Sequence, residues 1–111
     1  DVKGTAASYD CYNPKTHERI QIKATTIRYD LTSFGPDSVW DVLYLLDFYR
    51  DGKFDGKFDV YKIPNDLIYG HQISKTQTFR DQQKQGRRPR FGIKQKIIEK
   101  HNIKPVKTCK I

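Results

Sequence analysis

Asp10-Cys11-Tyr12-Asn13-Pro14-Lys15-Thr16-His17-Glu18-Arg19-Ile20-Gln21-Ile22-Lys23 is the stretch on which the fold turns. Its centre, Asn13-Pro14-Lys15-Thr16, has the composition of a turn. Asn suits the first position and Pro presets φ at the second. Downstream, Ile20 and Ile22 alternate with Arg19, Gln21 and Lys23, which is the period of a strand. Thr25, Thr26 and Ile27 extend it with β-branched side chains. Upstream, Ala7 to Tyr12 reads as a shorter strand. The two predict an antiparallel hairpin over residues 7–27.

Outward from the hairpin, Ser33 to Ser38 contains Gly35-Pro36 and reads as a loop, opening a short helical turn at Trp40. Val42 to Tyr49 is apolar and suits a buried strand. Arg50 to Lys57 is a connection holding Gly52 and Gly56, and Phe58 to Ile63 is a strand stopped by Pro64. These two form a second hairpin. Asp66 is placed to cap a helical turn at Leu67-Ile68-Tyr69, closed by Gly70. Thr76 or Thr78 starts a second short helix that runs to Gln85, with Gly86 as its left-handed stop. Phe91 to His101 is the clearest helix, with Ile93, Ile97 and Ile98 as its apolar stripe and Asn102 and Pro105 beyond it. Lys104 to Ile111 closes the chain as a short strand. Strands come first and helices follow. The expected class is α+β: a small mixed sheet of about four strands from two hairpins, with C-terminal helices.

At 111 residues the chain is one domain, with residues 7–63 forming the sheet and residues 71–111 a basic helical part. Its formal charge of +8 is divided unevenly: residues 1–70 carry 9 basic and 11 acidic groups, residues 71–111 carry 12 and 2. Such asymmetry points to a polyanion, and nucleic acid is the commonest one. Arginines cluster in Gly86-Arg87-Arg88-Pro89-Arg90, where planar forks suit phosphates and guanine edges. Gln77, Arg80, Gln83, Lys84, Arg87, Arg88 and Arg90 are therefore the expected DNA-binding residues. No run of 18 apolar residues and no leader-like segment occurs, so no membrane partner is expected. Cys11 and Cys109 match neither a disulfide framework nor a zinc site and suit free thiols in a reducing cytoplasm. The chain has no Met, so Asp1 reads as a trimmed start with the N-terminal part of the fold missing.

Gln21 and Lys23 share one strand face, and Asp10 lies on the partner strand across the turn. An acid, an amide oxygen and a lysine gathered on one hairpin suit metal-assisted phosphodiester hydrolysis. Glu18 has the opposite parity and joins them only through a bulge. The pattern resembles the PD-(D/E)XK nucleases, with Gln21 in the second acidic position. Four flanking stretches, Ile20 to Thr25, Asp30 to Pro36, Phe58 to Pro64, and Gln77 to Gln83 through Gly86 to Phe91, together resemble a small group of type II restriction endonucleases within that superfamily. The resemblance implies a restriction-endonuclease-like core and Mg²⁺ held by Asp10, Gln21 and the Ile22 carbonyl. It makes Asp10, Gln21 and Lys23 the catalytic residues, with Lys23 placing the attacking water. It also implies a homodimer cutting double-stranded DNA at a short site, leaving 5′-phosphate and 3′-hydroxyl ends. A cognate methyltransferase would accompany it in a prokaryotic cytoplasm. The alternatives are a non-catalytic nucleic-acid-binding module and an inactive nuclease fragment.

Other features read more plainly. The tandem Gly52-Lys53-Phe54-Asp55 and Gly56-Lys57-Phe58-Asp59 lacks the ligand spacing of a calcium loop. His17, His71 and His101 show no metal-ligand spacing, and Trp40 reads as core packing.

Overall fold

Strand β1 (Cys11–Asn13) folds back on β2 (Glu18–Thr25) in the computed structural model, which describes residues 10–49, 53 and 55–110. Positions 7–9 of the expected first strand lie outside the described residues. The pairing is antiparallel, with Cys11 opposite Ile20 and Asn13 opposite Glu18. The Asn13 carboxamide oxygen makes the turn by accepting from the Lys15 and Thr16 amides. His17 closes it at φ 62°, a left-handed conformation for a residue with a Cβ.

A second antiparallel pair, β4 (Val42–Asp47) and β5 (Lys57–Pro64), sets Val42 against Pro64 and Asp47 against Asp59. The two hairpins join through a parallel pairing of β2 and β4, Ile20 beside Val42 and Thr25 beside Asp47. A parallel pair needs a long crossover, and residues 26–41 supply it. That crossover carries β3 (Thr32–Ser33), which pairs with β6 (Arg90–Phe91) as a separate two-stranded sheet. Asp41, at the entry to β4, locks the parallel register. Its carboxylate takes the Arg19 guanidinium in a two-pronged bond at 2.9 and 3.0 Å and accepts from the Arg19 amide at 2.7 Å. These hydrogen bonds pull its pKa down to about 2.

The sheet has five strands rather than about four, in the order β1-β2-β4-β5-β7. The fifth, β7 (Lys107–Lys110), comes from the basic end of the chain and pairs antiparallel with β5. Its sequence has no apolar alternation. Backbone bonds place it, with a hydrogen bond from Thr108 Oγ1 to the Asp59 carboxylate at 2.7 Å. Lys107 and Lys110 suit an edge strand, because charge there discourages pairing with further chains.

Helix α1 (Asn65–Tyr69) starts after Pro64 without a side-chain cap, so Asp66 lies inside its first turn and does not precede it. Helix α2 (Phe79–Lys84) has the Thr78 cap, in a full capping box with Asp81, and Gly86 follows at φ 75°. The expected helix over 91–101 is shortened and rewound. Phe91 is taken by β6, and residues Lys94–Glu99 form a π-helix. Its N-terminal amides are satisfied from far along the chain: the Asp30 carboxylate accepts from Ile93 N and Lys94 N, each at 2.9 Å.

Below the sheet lies one core of Phe34, Trp40, Leu43, Leu45, Ile63, Ile68, Phe79, Phe91, Ile93, Ile97 and Ile98. Trp40 is 1% exposed and stacks on Phe34 at 5.3 Å, with no helical turn around it. Among the described residues, no helix is long and apolar enough to cross a membrane.

Candidate active site

Strand alternation aims Gln21, Lys23 and Thr25 of β2 to the core side, where their β4 neighbours are Leu43, Leu45 and Asp47. Ile22 faces outward and is 42% exposed. The polar residues of this strand thus turn inward and its isoleucines outward, the reverse of an ordinary half-buried strand. Polar groups are costly to bury without hydrogen bonds. Gln21 is buried, and its Oε1 has no hydrogen-bond partner. An unsatisfied acceptor at such a position calls for a ligand, and an oxygen donor is what a hard divalent cation takes.

Asp10 sits one residue beyond β1. Continuing the register from Cys11 and Ile20 sets it opposite Gln21. Its amide donates to Ile20 O at 2.9 Å, and its Oδ2 accepts from Ile22 N at 2.7 Å. Because Ile20 O and Ile22 N both meet Asp10, the alternating backbone directs the Ile22 carbonyl to the same edge of β2. Asp10 and Ile22 therefore place a carboxylate and a carbonyl at one edge of β2, while the Gln21 side chain lies on the buried face of the same strand. Among the described residues, no group of three or more His, Cys, Asp and Glu could hold a metal. Carboxylate, amide and carbonyl oxygens are donors of the kind a hard divalent cation takes, and three of them would leave its other positions to water.

Lys23 is held by groups outside the hairpin. Its Nζ donates to the Ser33 carbonyl at 3.2 Å and stands 4.9 Å from the Phe34 ring centroid, a cation–π contact. Burial lowers its pKa below the ordinary lysine value; the Asp10 charge opposes that fall and Arg88 adds to it. Ser33 and Phe34 were visible in the sequence only as a loop, since no local pattern ties them to Lys23.

The basic segment reaches this site. Phe34 N donates to Pro89 O at 3.0 Å, so residues 87–90 lie along the loop that holds Lys23. Arg88 Nη1 lies 3.5 Å from where a Gly35 Cβ would stand. Lys84, Arg87, Arg88 and Arg90 are exposed. Arg87 Nη1 donates to Gln77 Oε1 at 2.8 Å, which holds two of the expected DNA-binding residues together. Arg80 lies over the Tyr69 ring, 5.6 Å from its centroid, and donates to Gln83 Oε1.

Gln83 departs from the expectation of a DNA contact. It is 4% exposed, and its Nε2 donates to Gly35 O at 3.0 Å and Ser38 O at 2.9 Å. The side chain pins the 35–38 loop from inside and has no face for a base. Gln83→Ala should therefore lower unfolding stability by about 1–3 kcal/mol, as unpaired buried carbonyls do, and leave DNA affinity within about twofold. Urea denaturation beside a DNA-binding titration separates the two.

The fold and this arrangement define a small α+β protein with a carboxylate and an amine on one hairpin and arginines alongside. The chain belongs to the Bsp6I restriction endonuclease family, whose profile matches residues 2–100. It is 43% identical over 100 residues to the type II restriction enzyme Bsp6I of Bacillus sp. (strain RFL6), a match covering 87% of this chain and 56% of that enzyme. The chain thus spans little more than half the length of this curated relative. No solved structure matches it.

Proposed function

We propose that this chain carries the catalytic site of a type II restriction endonuclease with PD-(D/E)XK chemistry, Gln21 standing in the second acidic position. Its substrate is double-stranded DNA, cut at a short specific site by a homodimer in a prokaryotic cytoplasm. The observation that supports this reading is the register of the hairpin, which sets Asp10 opposite Gln21 with Lys23 two residues along the same face, where the charges of Asp10 and Arg88 act on the lysine. Family membership supports it.

Asp10, Gln21 Oε1 and the Ile22 carbonyl would hold Mg²⁺. When bound, that ion polarises the scissile phosphate and acidifies water. The chain's own residues do the rest. Lys23, restrained by Ser33 O and the Phe34 ring, positions the attacking water and offsets charge on the phosphate. Arg88 neutralises phosphate next to it, and Arg87 and Lys84 neutralise phosphates further along. In-line attack leaves a 5′-phosphate and a 3′-hydroxyl.

Supercoiled plasmid incubated with the chain and Mg²⁺ should yield discrete fragments, and EDTA should abolish them. Intact plasmid under conditions where DNA is fully bound would favour the non-catalytic binding module. Arg87→Ala and Arg88→Ala should each lower the slope of log binding constant against log salt by about 0.9, one phosphate contact apiece. Arg88→Ala should also raise the Lys23 pKa, since it removes a neighbouring cation. An unchanged salt slope in both variants would remove these arginines from the DNA interface.

A further inference from the structure

A second feature lies between the π-helix and the loop after α1. It is a cleft of about 570 Å³ whose lining includes His71, Arg90, Phe91, Gln95, Lys96 and Lys100. Of these only Arg90 belongs to the residues assigned above. The volume falls within the roughly 300–1,000 Å³ of small-ligand sites. One wall is aromatic: His71 stacks on Phe91 with ring centroids 4.5 Å apart and planes 29° apart. Another wall is cationic. Among the described residues, Arg90, Lys96 and Lys100 have no ion-pair partner. Asp30 also lines the cleft, but it is buried and its carboxylate is committed to Ile93 N, Lys94 N and the Thr32 hydroxyl. Gly92 also lines the cleft, and its backbone approaches Asp30 so closely that a Cβ would fall 2.8 Å from the Asp30 carbonyl oxygen.

Lys96 and Lys100 stand four residues apart, a spacing at which like charges repel on a helix. The π-winding over Lys94–Glu99 contains Lys96 and ends just before Lys100, both of which line the cleft, and such winding is rare and concentrated at functional sites. An anion between these cations relieves the repulsion. A bare phosphate leaves the aromatic wall unused, whereas a nucleotide uses both walls.

We propose that this cleft binds a single nucleotide unit, its phosphate held by Arg90, Lys96 and Lys100 and its base set against the His71–Phe91 stack, with Gln95 placed to meet the base edge. The proposal deepens the nucleic-acid reading above, yet it concerns a site that needs neither Lys23 nor metal. The imidazole already sits in a positive field: burial, then Lys100, Lys96 and His101, lower the His71 pKa. A bound phosphate opposes the lysine contributions, so the His71 signals report occupancy.

The test titrates the chain, in EDTA, with dGMP, dAMP and deoxyribose phosphate, following the NMR signals of the His71 imidazole. Both mononucleotides should bind at least about fivefold tighter than deoxyribose phosphate, the contribution expected of one stacked base. Lys96→Ala/Lys100→Ala, at two exposed positions, should weaken mononucleotide binding about tenfold or more, and Lys23→Ala should not change it. A duplex with one unpaired nucleotide, compared with its fully paired counterpart, identifies the source. Tighter binding of the former, lost in the double lysine variant, places a nucleotide of DNA in the cleft. Equal binding of both duplexes, with mononucleotides still bound, places a free nucleotide there. Mononucleotides that bind no better than deoxyribose phosphate, or as well to the double variant, overturn the proposal. Because no cleavage is measured, plasmid left intact by a chain that binds nucleotides here would sink only the nuclease reading.

Discussion

Lys23→Met is expected to slow DNA cleavage by about 10²–10³-fold, the usual cost of removing one preorganised charge-stabilising donor, while DNA affinity changes by less than about threefold. The Ser33 carbonyl and the Phe34 ring hold the ammonium in one place, so the charge is positioned before substrate arrives. Lys23→Arg should not rescue the rate, because the planar guanidinium does not fit a site built for a compact ammonium. The same variants carry a stability signature with a defined sign. Burial, against an opposing contribution from Asp10 and with help from Arg88, lowers the folded pKa of Lys23 from 10.5. Between that lowered value and the unfolded one, the unfolded chain holds more protons. Stability attributable to this group therefore rises with pH through that window and is lower beneath it. Lys23→Met removes this rise. Single-turnover cleavage rates and urea midpoints across alkaline pH check both parts. Cleavage within tenfold of the native rate would take Lys23 out of the reaction.

Lys94→Ala should destabilise the fold by about 3–5 kcal/mol, the range for stripping one partner from a buried ion pair. Lys94 Nζ meets Asp47 Oδ2 at 3.0 Å, with side chains 13% and 4% exposed. The register sets Asp47 opposite Asp59, also buried, so losing the lysine leaves Asp47 facing a second acid. Asp47 Oδ1 accepts from Tyr49 N, and that bond alone leaves a charge in the core. Pairing Lys94→Met with Asp47→Leu should recover most of the loss, because neither charge is then stranded. Against total stabilities of about 5–15 kcal/mol, the single variant is close to unfolding, so its urea midpoint should fall steeply. A change below about 1 kcal/mol would show that water reaches the pair.

Much of the chain was legible because its instructions are short-ranged. Asn13-Pro14 and Gly86 each act within a few residues and appear where expected, and of Thr76 and Thr78, the two starts the sequence offered for α2, Thr78 is the cap. The alternation of β2 alone places Gln21 and Lys23 on one face. What that alternation could not tell was that the face turns inward, since Ile20 and Ile22 are the stronger apolar signal. Lys104 to Ile111 read as a strand, but its partner is β5, at the far side of the sheet from β2. Gln83 looked like its neighbours Lys84 and Arg80, and only the packing of α2 on the 35–38 loop put it inside.

By itself the sequence determined the α+β class, both hairpins, the Gly86 helix stop and the concentration of positive charge in the last third of the chain. These follow from periodicity, turn chemistry and composition, which are properties of neighbouring residues. Tertiary structure alone decided the parallel seam between the hairpins, the fifth strand, the π-winding and the groups that hold Lys23. Each of these joins residues 10 to 64 positions apart. Asp30 at the start of the π-helix is the clearest case, since a carboxylate replaces a cap only once the whole core has brought it there.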